Sequence, residues 1–542
     1  MPANARRSLP WLFVILLLAR SAFASAYDAH PKLIVVITVD QLRADLLQRH
    51  KSKFSDGGFR LLMDRGAYFT DCYYNYINLH TAPGHATLFT GAYTDSHNII
   101  ANEWWNHERK RVVTSVDDFG TKVVGGEGEF GASPHNLTAT TIGDELRMAT
   151  GGRARVFGIS LKDRSAILPA GHSGVAYWID RQNGVWVSST YYMQQLPQWA
   201  AAFNGQKRAD KYWNLDWKDA AGDSHKTTLD PAKPDFYNKV GGSPYGIEYE
   251  FEFARELVTN EKLGTDDSTD LLSISISSTD ITGHFWGPDA PQQETMFLTA
   301  DKALNEFFAF LGRQVGLANV WIVLSADHGI NLTVADAQKL KLPSAHMNGD
   351  AAKQEINAQL ARRLGKAGDY IALIRDRNVY LNQDAFPSGT KRNDAESMVA
   401  EIMRTPAVKQ KLGILDAYTQ EQITSGRMPD NELTRKWAHS FAPQLDEWYV
   451  MGLPGLMTQP TYVASDHLTP WSYDTHVPLG FYGVPFVPGT YRNSVQPIDW
   501  TVTIASLLGI NKPSHASGRV LTEAIKESLR ETVKESGKKE PK

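Results

Sequence analysis

Four apolar runs that each stop abruptly at polar, chemically capable residues constrain this chain more than anything else in it. They are "KLIVVITVD" (Lys32 to Asp40), "RVFGISLKDR" (Arg155 to Arg164), "DLLSISISSTD" (Asp270 to Asp280) and "VWIVLSADHG" (Val320 to Gly329). Continuous β-branched runs of this length are the pattern of parallel strands covered by helices on both faces. Amphipathic stretches such as "TATTIGDELRMAT" and "ETMFLTADKALNEFFAFLGRQVG" alternate with them. The expected fold is therefore α/β, with a mainly parallel central sheet flanked by helices. In such sheets ligands collect at the carboxyl ends of the strands. Asp40, Lys162, Arg164, Asp280, Asp327 and His328 all fall at such ends.

Two long segments interrupt the alternation. Residues 172–245 are rich in Trp, Tyr, Asp and Lys, and residues 338–450 carry charged helical patterns. Both read as insertions forming a cap around the site, within one domain spanning 27–525. Residues 526–542 read as a charged, fraying tail.

The N-terminus differs from the rest. Arg6 and Arg7 precede "LPWLFVILLLA", and "AFASA" offers small residues for cleavage after Ala26. This is the pattern of a secretory signal peptide, with an apolar run short for a bilayer span. The expected location is secreted, periplasmic in a bacterium, with no stable membrane anchor after cleavage. Losing Arg6, Arg7 and Arg20 and no acid takes the formal charge from −4 to −7. A mildly acidic protein has no general electrostatic attraction for nucleic acid, so none is expected as a specific partner. The lone Cys72 cannot form an internal disulfide.

Oxygen and imidazole donors are concentrated at the strand ends. Asp280 and His284 are four apart and share one face if a helix begins there. Asp327 and His328 are adjacent, Asp40 ends the first run, and His476 precedes another strand-like run. This donor mixture suits zinc, or another divalent ion such as manganese. Six such ligands are too many for one tetrahedral ion and about right for two. Thr81, in "LHTAPGHATLFTG", reads two ways. It is a favoured helix N-cap ahead of Pro83, or a hydroxyl nucleophile at a helix N-terminus that also attracts anions.

"VDQLRADLL", "TAPGHATLFTG", "STDITGHFWGP", "SADHG" and "YDTHVPLGFYG" together resemble the alkaline phosphatase superfamily. The match is strongest to bacterial phosphate-irrepressible (PafA-type) alkaline phosphatases and to their relatives, the nucleotide pyrophosphatase/phosphodiesterases. The resemblance runs from about Leu33 to about Gly509. It implies two Zn2+ per chain, one held by Asp40, Thr81, Asp327 and His328, the other by Asp280, His284 and His476. His467, in "SDHLTP", lies close in sequence, but the family pattern favours His476. Thr81 becomes the nucleophile of a phosphothreonine intermediate, and Asn102 a hydrogen-bond donor to the phosphoryl group.

"GISLKDRSAILPAG" places Lys162 and Arg164 at a strand end, two residues apart on one side of a pleat. A monoester dianion presents one more anionic oxygen than a diester, and these two cations would meet it. The expected activity is hydrolysis of small-molecule phosphate monoesters, with phosphodiesterase as the alternative. A sulfatase would need a Cys or Ser where Thr81 stands. Cofactor-independent phosphoglycerate mutases use serine there. A metal-dependent phosphate-binding protein without catalysis would be expected to lack the nucleophile or a ligand, and none is missing.

Overall fold

The computed structural model describes residues 30–455, 457–460 and 462–529. The signal-peptide reading and most of the charged tail lie outside them. In chain order the first strands of the main sheet are β1 (Leu33–Val39), β2 (Ala67–Phe69), β3 (Val123–Val124), β4 (Val156–Ser160), β5 (Val175–Ile179), β6 (Trp186–Ser189), β7 (Asp270–Ile276) and β8 (Val320–Ser325). The chain then enters a separate sheet of β9 (Ile371–Arg375), β10 (Asn378–Leu381), β11 (Ile414–Thr419) and β12 (Tyr449–Pro454). It returns with β13 (Leu479–Tyr482) and β14 (Gly489–Tyr491).

The main sheet has ten strands in the order β14-β2-β13-β8-β1-β7-β4-β5-β6-β3. Its centre, β8-β1-β7-β4-β5, is entirely parallel. Antiparallel β13 and β6 flank that centre. The four apolar runs are four of these five strands, and β1, β7 and β8 are buried at every position. Each buried branched side chain contributes roughly 1.5–3 kcal/mol, which is why the runs need no polar face.

Helices that cover the two sheets or carry residues of the site include α1 (Thr81–Thr90), α2 (Asp163–Ala170), α3 (Pro244–Asn260), α4 (Ser278–Trp286), α5 (Pro291–Gln314), α6 (Gly349–Leu364) and α7 (Arg392–Met403). α3 and α5 pack on each other, Phe251 meeting Phe307 edge-on at 5.4 Å. α2 lies directly on β4. A side chain at Gly158 of β4 would come within 2.0 Å of the Ala166 carbonyl, so glycine allows that approach.

The two insertions take different places in the structure. Residues 172–245 are largely part of the body, because β5 and β6 extend the main sheet. Their aromatic residues pack onto α3. Trp186 stacks on Phe253 at 4.0 Å and 9°, with Phe203, Tyr212 and Trp199 in the same core. Aromatic content marked packing, and only Arg181, Tyr237 and Asn238 of this segment reach the large cavity at the strand ends. The second insertion has its own core. There α6 and α7 cover the antiparallel β9-β10-β12-β11 sheet through Ile356, Leu360, Val379, Val399 and Met403. A shared cluster that includes Trp104, Tyr380, Trp437 and Tyr449 seats it on the body. Among the described residues no helix is long and apolar enough to cross a membrane.

Candidate active site

Adjacent strands deliver the chemistry. Asp327 follows β8, Asp40 follows β1, Asp280 stands in the first turn of α4 after β7, and Lys162 follows β4. Strand spacing alone brings these side chains to one place. Gly84 brings α1 to it as well, since a Cβ there would lie 2.5 Å from the Asp327 carbonyl oxygen. All four charged groups are almost wholly buried.

Two constellations could hold a cation: Asp280, His284 and His467, and Asp40, Asp280 and His328. Within each, one donor atom per residue lies within 4.8 Å of the others. The imidazoles share one arrangement. His328 Nδ1 faces the Gly329 carbonyl at 2.9 Å, His284 Nδ1 faces the Ser465 carbonyl at 2.9 Å, and His467 Nδ1 faces the Leu79 carbonyl. A carbonyl only accepts, so each Nδ1 donates and each Nε2 is turned into the cluster, where the neutral ring that a metal ligand requires would present its lone pair. There the Nε2 atoms meet carboxylate oxygens. His328 Nε2 is 3.5 Å from Asp40 Oδ1, and His284 Nε2 is 3.1 Å from Asp280 Oδ1. Asp40 Oδ1, Asp280 Oδ1, Asp327 Oδ2 and His328 Nε2 are buried without a hydrogen-bond partner. Acceptors converging on acceptors, with orphaned buried atoms, fit a divalent cation, and N/O donors fit zinc.

The buried charges of the cluster act strongly on one another. Burial, with the Asp280 and Asp327 carboxylates, raises the Asp40 carboxyl. Burial also opposes ionisation of Asp280, but Lys162 and His284 outweigh it and hold that carboxyl well below its usual range. Burial lowers His284 while Asp280 beside it wins, pushing the ring up to about 9.

His476 does not belong to this group. Its Nε2 contacts the Thr70 carbonyl at 2.9 Å, and its ring stacks on Tyr73 at 4.4 Å. His467 takes the place expected of it, with its ring stacked 3.8 Å from that of His328. The short helix Ser472–Thr475 separates the two histidines, and His476 bridges Tyr73 in the segment after β2.

Thr81 is the first residue of α1, and His80 is its N-cap. The Thr81 hydroxyl therefore caps nothing. It is 1 % exposed and accepts from Lys162 Nζ at 3.3 Å. Lys162 Nζ also donates to Asp40 Oδ2 at 2.6 Å and Asp280 Oδ2 at 2.5 Å. Asn102 Oδ1 accepts from the Ala82 N–H at 2.8 Å, and the residue lines the large cavity. The pleat expected for Lys162 and Arg164 is absent: β4 ends at Ser160, Lys162 is the N-cap of α2, and Arg164 lies in its first turn. They consequently diverge, Lys162 into the carboxylates and Arg164 into the cavity wall.

That cavity, about 740 Å3, is lined by Thr81, Asn102, Arg164, Asp280, His284 and His467 from the body and by Arg375 and Asp376 from the second insertion. One supporting residue escaped the sequence reading. His85 Nδ1 lies 2.8 Å from the Thr81 carbonyl and 3.3 Å from Asp327 Oδ2, while Nε2 lies 2.7 Å from Ser275 Oγ. Its signal was the four-residue spacing from Thr81 inside the "TAPGH" motif.

The family model for type I phosphodiesterase / nucleotide pyrophosphatase matches residues 34–429. Alkaline phosphatase PafA of Elizabethkingia meningoseptica is 31 % identical, over 95 % of this chain and 98 % of its own. Alkaline phosphatase PhoV of Synechococcus elongatus is 31 % identical, over 92 % and 94 %. The crystal structure of wild-type alkaline phosphatase PafA superimposes with a TM-score of 0.79 at 29 % identity, covering 92 % of this chain and 99 % of that one.

Proposed function

Because the chain belongs to the type I phosphodiesterase / nucleotide pyrophosphatase family, we propose that it is a zinc-dependent alkaline phosphatase. Its substrates are small phosphate monoesters, and it works through a phosphothreonine on Thr81. That it is a phosphatase-type hydrolase follows from its relatives. The observation that carries the finer reading is the Thr81 hydroxyl, buried beside the Lys162 ammonium and two acid–imidazole constellations.

Asp40, Thr81, Asp327 and His328 would hold one zinc, and Asp280, His284 and His467 the other. Zinc, when bound, supplies Lewis-acid stabilisation of negative charge on the attacking and leaving oxygens. Lys162, kept cationic by Asp280 and Asp40 against its burial, stabilises Thr81 as the alkoxide. Thr81 Oγ1 attacks phosphorus in line, and the bond to the leaving oxygen breaks. Asn102, its Oδ1 fixed by Ala82, donates from its amide nitrogen to a phosphoryl oxygen. Arg164, whose buried Nε has no hydrogen-bond partner, supplies the planar fork for the remaining oxygens. Water then hydrolyses the phosphothreonine. With no side-chain general acid required, turnover rises toward mildly alkaline pH.

The alternative, a phosphodiesterase, is favoured by the description of the matching family model. The Arg164 guanidinium in the cavity wall, with the Lys162 ammonium beside the Thr81 hydroxyl, favours the dianionic monoester instead. The test is kcat/KM for an aryl phosphate monoester against its methyl diester, with zinc-loaded wild type and the Lys162→Ala/Arg164→Ala variant. A monoester preference that collapses in the variant supports the proposal. A diester preference moves the chain to the phosphodiesterase reading, and no turnover of either leaves a metal-dependent phosphate-binding protein. The signal-peptide pattern of residues 1–26 makes the protein secreted, periplasmic in a bacterium.

A further inference from the structure

Three residues other than glycine or asparagine adopt left-handed backbone at one place beside the site: Asp376 (φ 54°), Arg377 (φ 64°) and Leu468 (φ 78°). Asp376 and Arg377 form the two-residue turn between β9 and β10, where Arg375 pairs with Asn378. Positive φ at both central residues is the primed hairpin geometry, for which Asn-Gly is the usual choice. A left-handed conformation costs an ordinary residue roughly 1–2 kcal/mol. Here the turn carries an aspartate and an arginine, and both side chains reach back into the body. Arg377, 2 % exposed, donates from Nη1 to the Leu468 carbonyl at 3.2 Å. Asp376 Oδ2 stands 3.3 Å from His80 Nδ1. Next along the β9 strand, Arg375 pairs with Glu103 of the body at 3.2 Å.

The partners on the body side are telling. Leu468 follows His467, and His80 precedes Thr81. The His80 ring sits edge-on to the His467 ring at 5.1 Å. One turn of the insertion thus touches both the segment that carries a zinc-facing imidazole and the segment that carries the hydroxyl. Strain that persists only because its surroundings over-determine it tends to sit where geometry must be held.

We propose that the Asp376–Arg377 turn is a positioning clamp: Arg377 holds Leu468 in its left-handed conformation, which fixes the His467 ring as a ligand of the zinc shared with Asp280 and His284. Arg377 is a positioning residue and touches no reacting atom. The inference rests on the proposed two-zinc site, and its readout is metal affinity. Outer residues that orient a ligand typically change metal affinity 10–100-fold when replaced.

The experiment is zinc titration against a chromophoric chelator, with melting curves of each protein as the folding control. Arg377→Gly suits it, because glycine adopts the turn freely while the guanidinium is lost. The expected result is about 10–100-fold weaker binding of one zinc equivalent and wild-type binding of the other. Arg377→Lys, which keeps a cation, should fall between. Wild-type affinity at both sites in Arg377→Gly overturns the clamp, as does equal weakening of both. If Arg377→Gly does not fold, Arg377→Lys decides, and unchanged affinity at both sites overturns it. A wild-type chain that fails to bind two zinc ions overturns the two-zinc reading and the clamp with it.

Discussion

Lys162 Nζ lies 2.6 Å from Asp40 Oδ2, inside a pair in which both side chains are at most 1 % exposed. The same ammonium reaches Asp280 at 2.5 Å. A buried cation between two carboxylates does two jobs here: it faces the Thr81 hydroxyl, and it offsets charge that zinc would otherwise offset. These jobs separate in Lys162→Ala. Monoester kcat/KM should fall by about 10²–10³ in the zinc-loaded enzyme, the usual loss for one preorganised charge on a transition state. After chelation the variant should be less stable than chelated wild type by about 3–5 kcal/mol, the cost of breaking a buried pair. With zinc added, most of that difference should vanish. Urea unfolding with and without chelator measures it, and an equal loss in both states would refute the double role.

Thr81 begins α1 without capping it, so its hydroxyl can be removed without disturbing the helix start. Thr81→Val keeps the branched shape and should lower turnover about a thousandfold or more while both zinc equivalents are largely retained. Thr81→Ser should keep part of the activity. Acid-quenched wild type mixed with substrate should carry phosphate on the peptide containing Thr81, and Thr81→Val should carry none. Phosphate trapped on any other residue would remove Thr81 from the nucleophile's role.

The two histidines of the "SDHLTPWSYDTH" stretch should behave oppositely. His467→Ala removes a lone pair aimed at the cluster, and should cost one zinc equivalent and most of the turnover. His476→Ala loses a contact to the Thr70 carbonyl and a stack on Tyr73, and should keep both zinc equivalents and near wild-type activity. Metal analysis of the two purified variants decides. Loss of zinc from His476→Ala alone would reverse the correction.

That pair also marks where sequence stopped being enough. The strands, the parallel centre and the convergence of Asp40, Asp280, Asp327 and Lys162 were legible because burial on both faces leaves an unbroken apolar signature that ends where the sheet ends. Asp280 with His284 was legible because helical spacing puts both on one face. His467 comes from a loop, where no periodicity says which of two nearby histidines turns inward. Lys162 and Arg164 were expected on a pleat, yet the strand stops at Ser160 and a helix begins, a boundary that local propensity places poorly. The aromatic run at 172–245 looked like a cap because composition alone does not distinguish core packing from a pocket wall. The strained turn at Asp376–Arg377 had little sequence signal, since Asp376 suits the first central position but an arginine stands where glycine is normally required.

Glu250 offers a stability test remote from zinc. It lies in α3 with 0 % exposure, and neither carboxyl oxygen has a hydrogen-bond partner. Burial alone raises its carboxyl well above the ordinary 4.5. The folded state therefore keeps a proton that the unfolded chain releases. For a group raised on folding, its contribution is fully present below the unfolded value near 4.5. It then declines by about 1.4 kcal/mol per pH unit as pH rises, until the folded value is passed. The proposed turnover at mildly alkaline pH would thus lie where this buried acid contributes least to stability. Glu250→Gln keeps the shape and removes the titration, so its unfolding free energy minus that of wild type should widen as pH rises above about 5, until the folded value is passed. Denaturant unfolding at several pH values measures that difference directly. Parallel profiles for the two proteins would mean that Glu250 is ionised and compensated in the folded state.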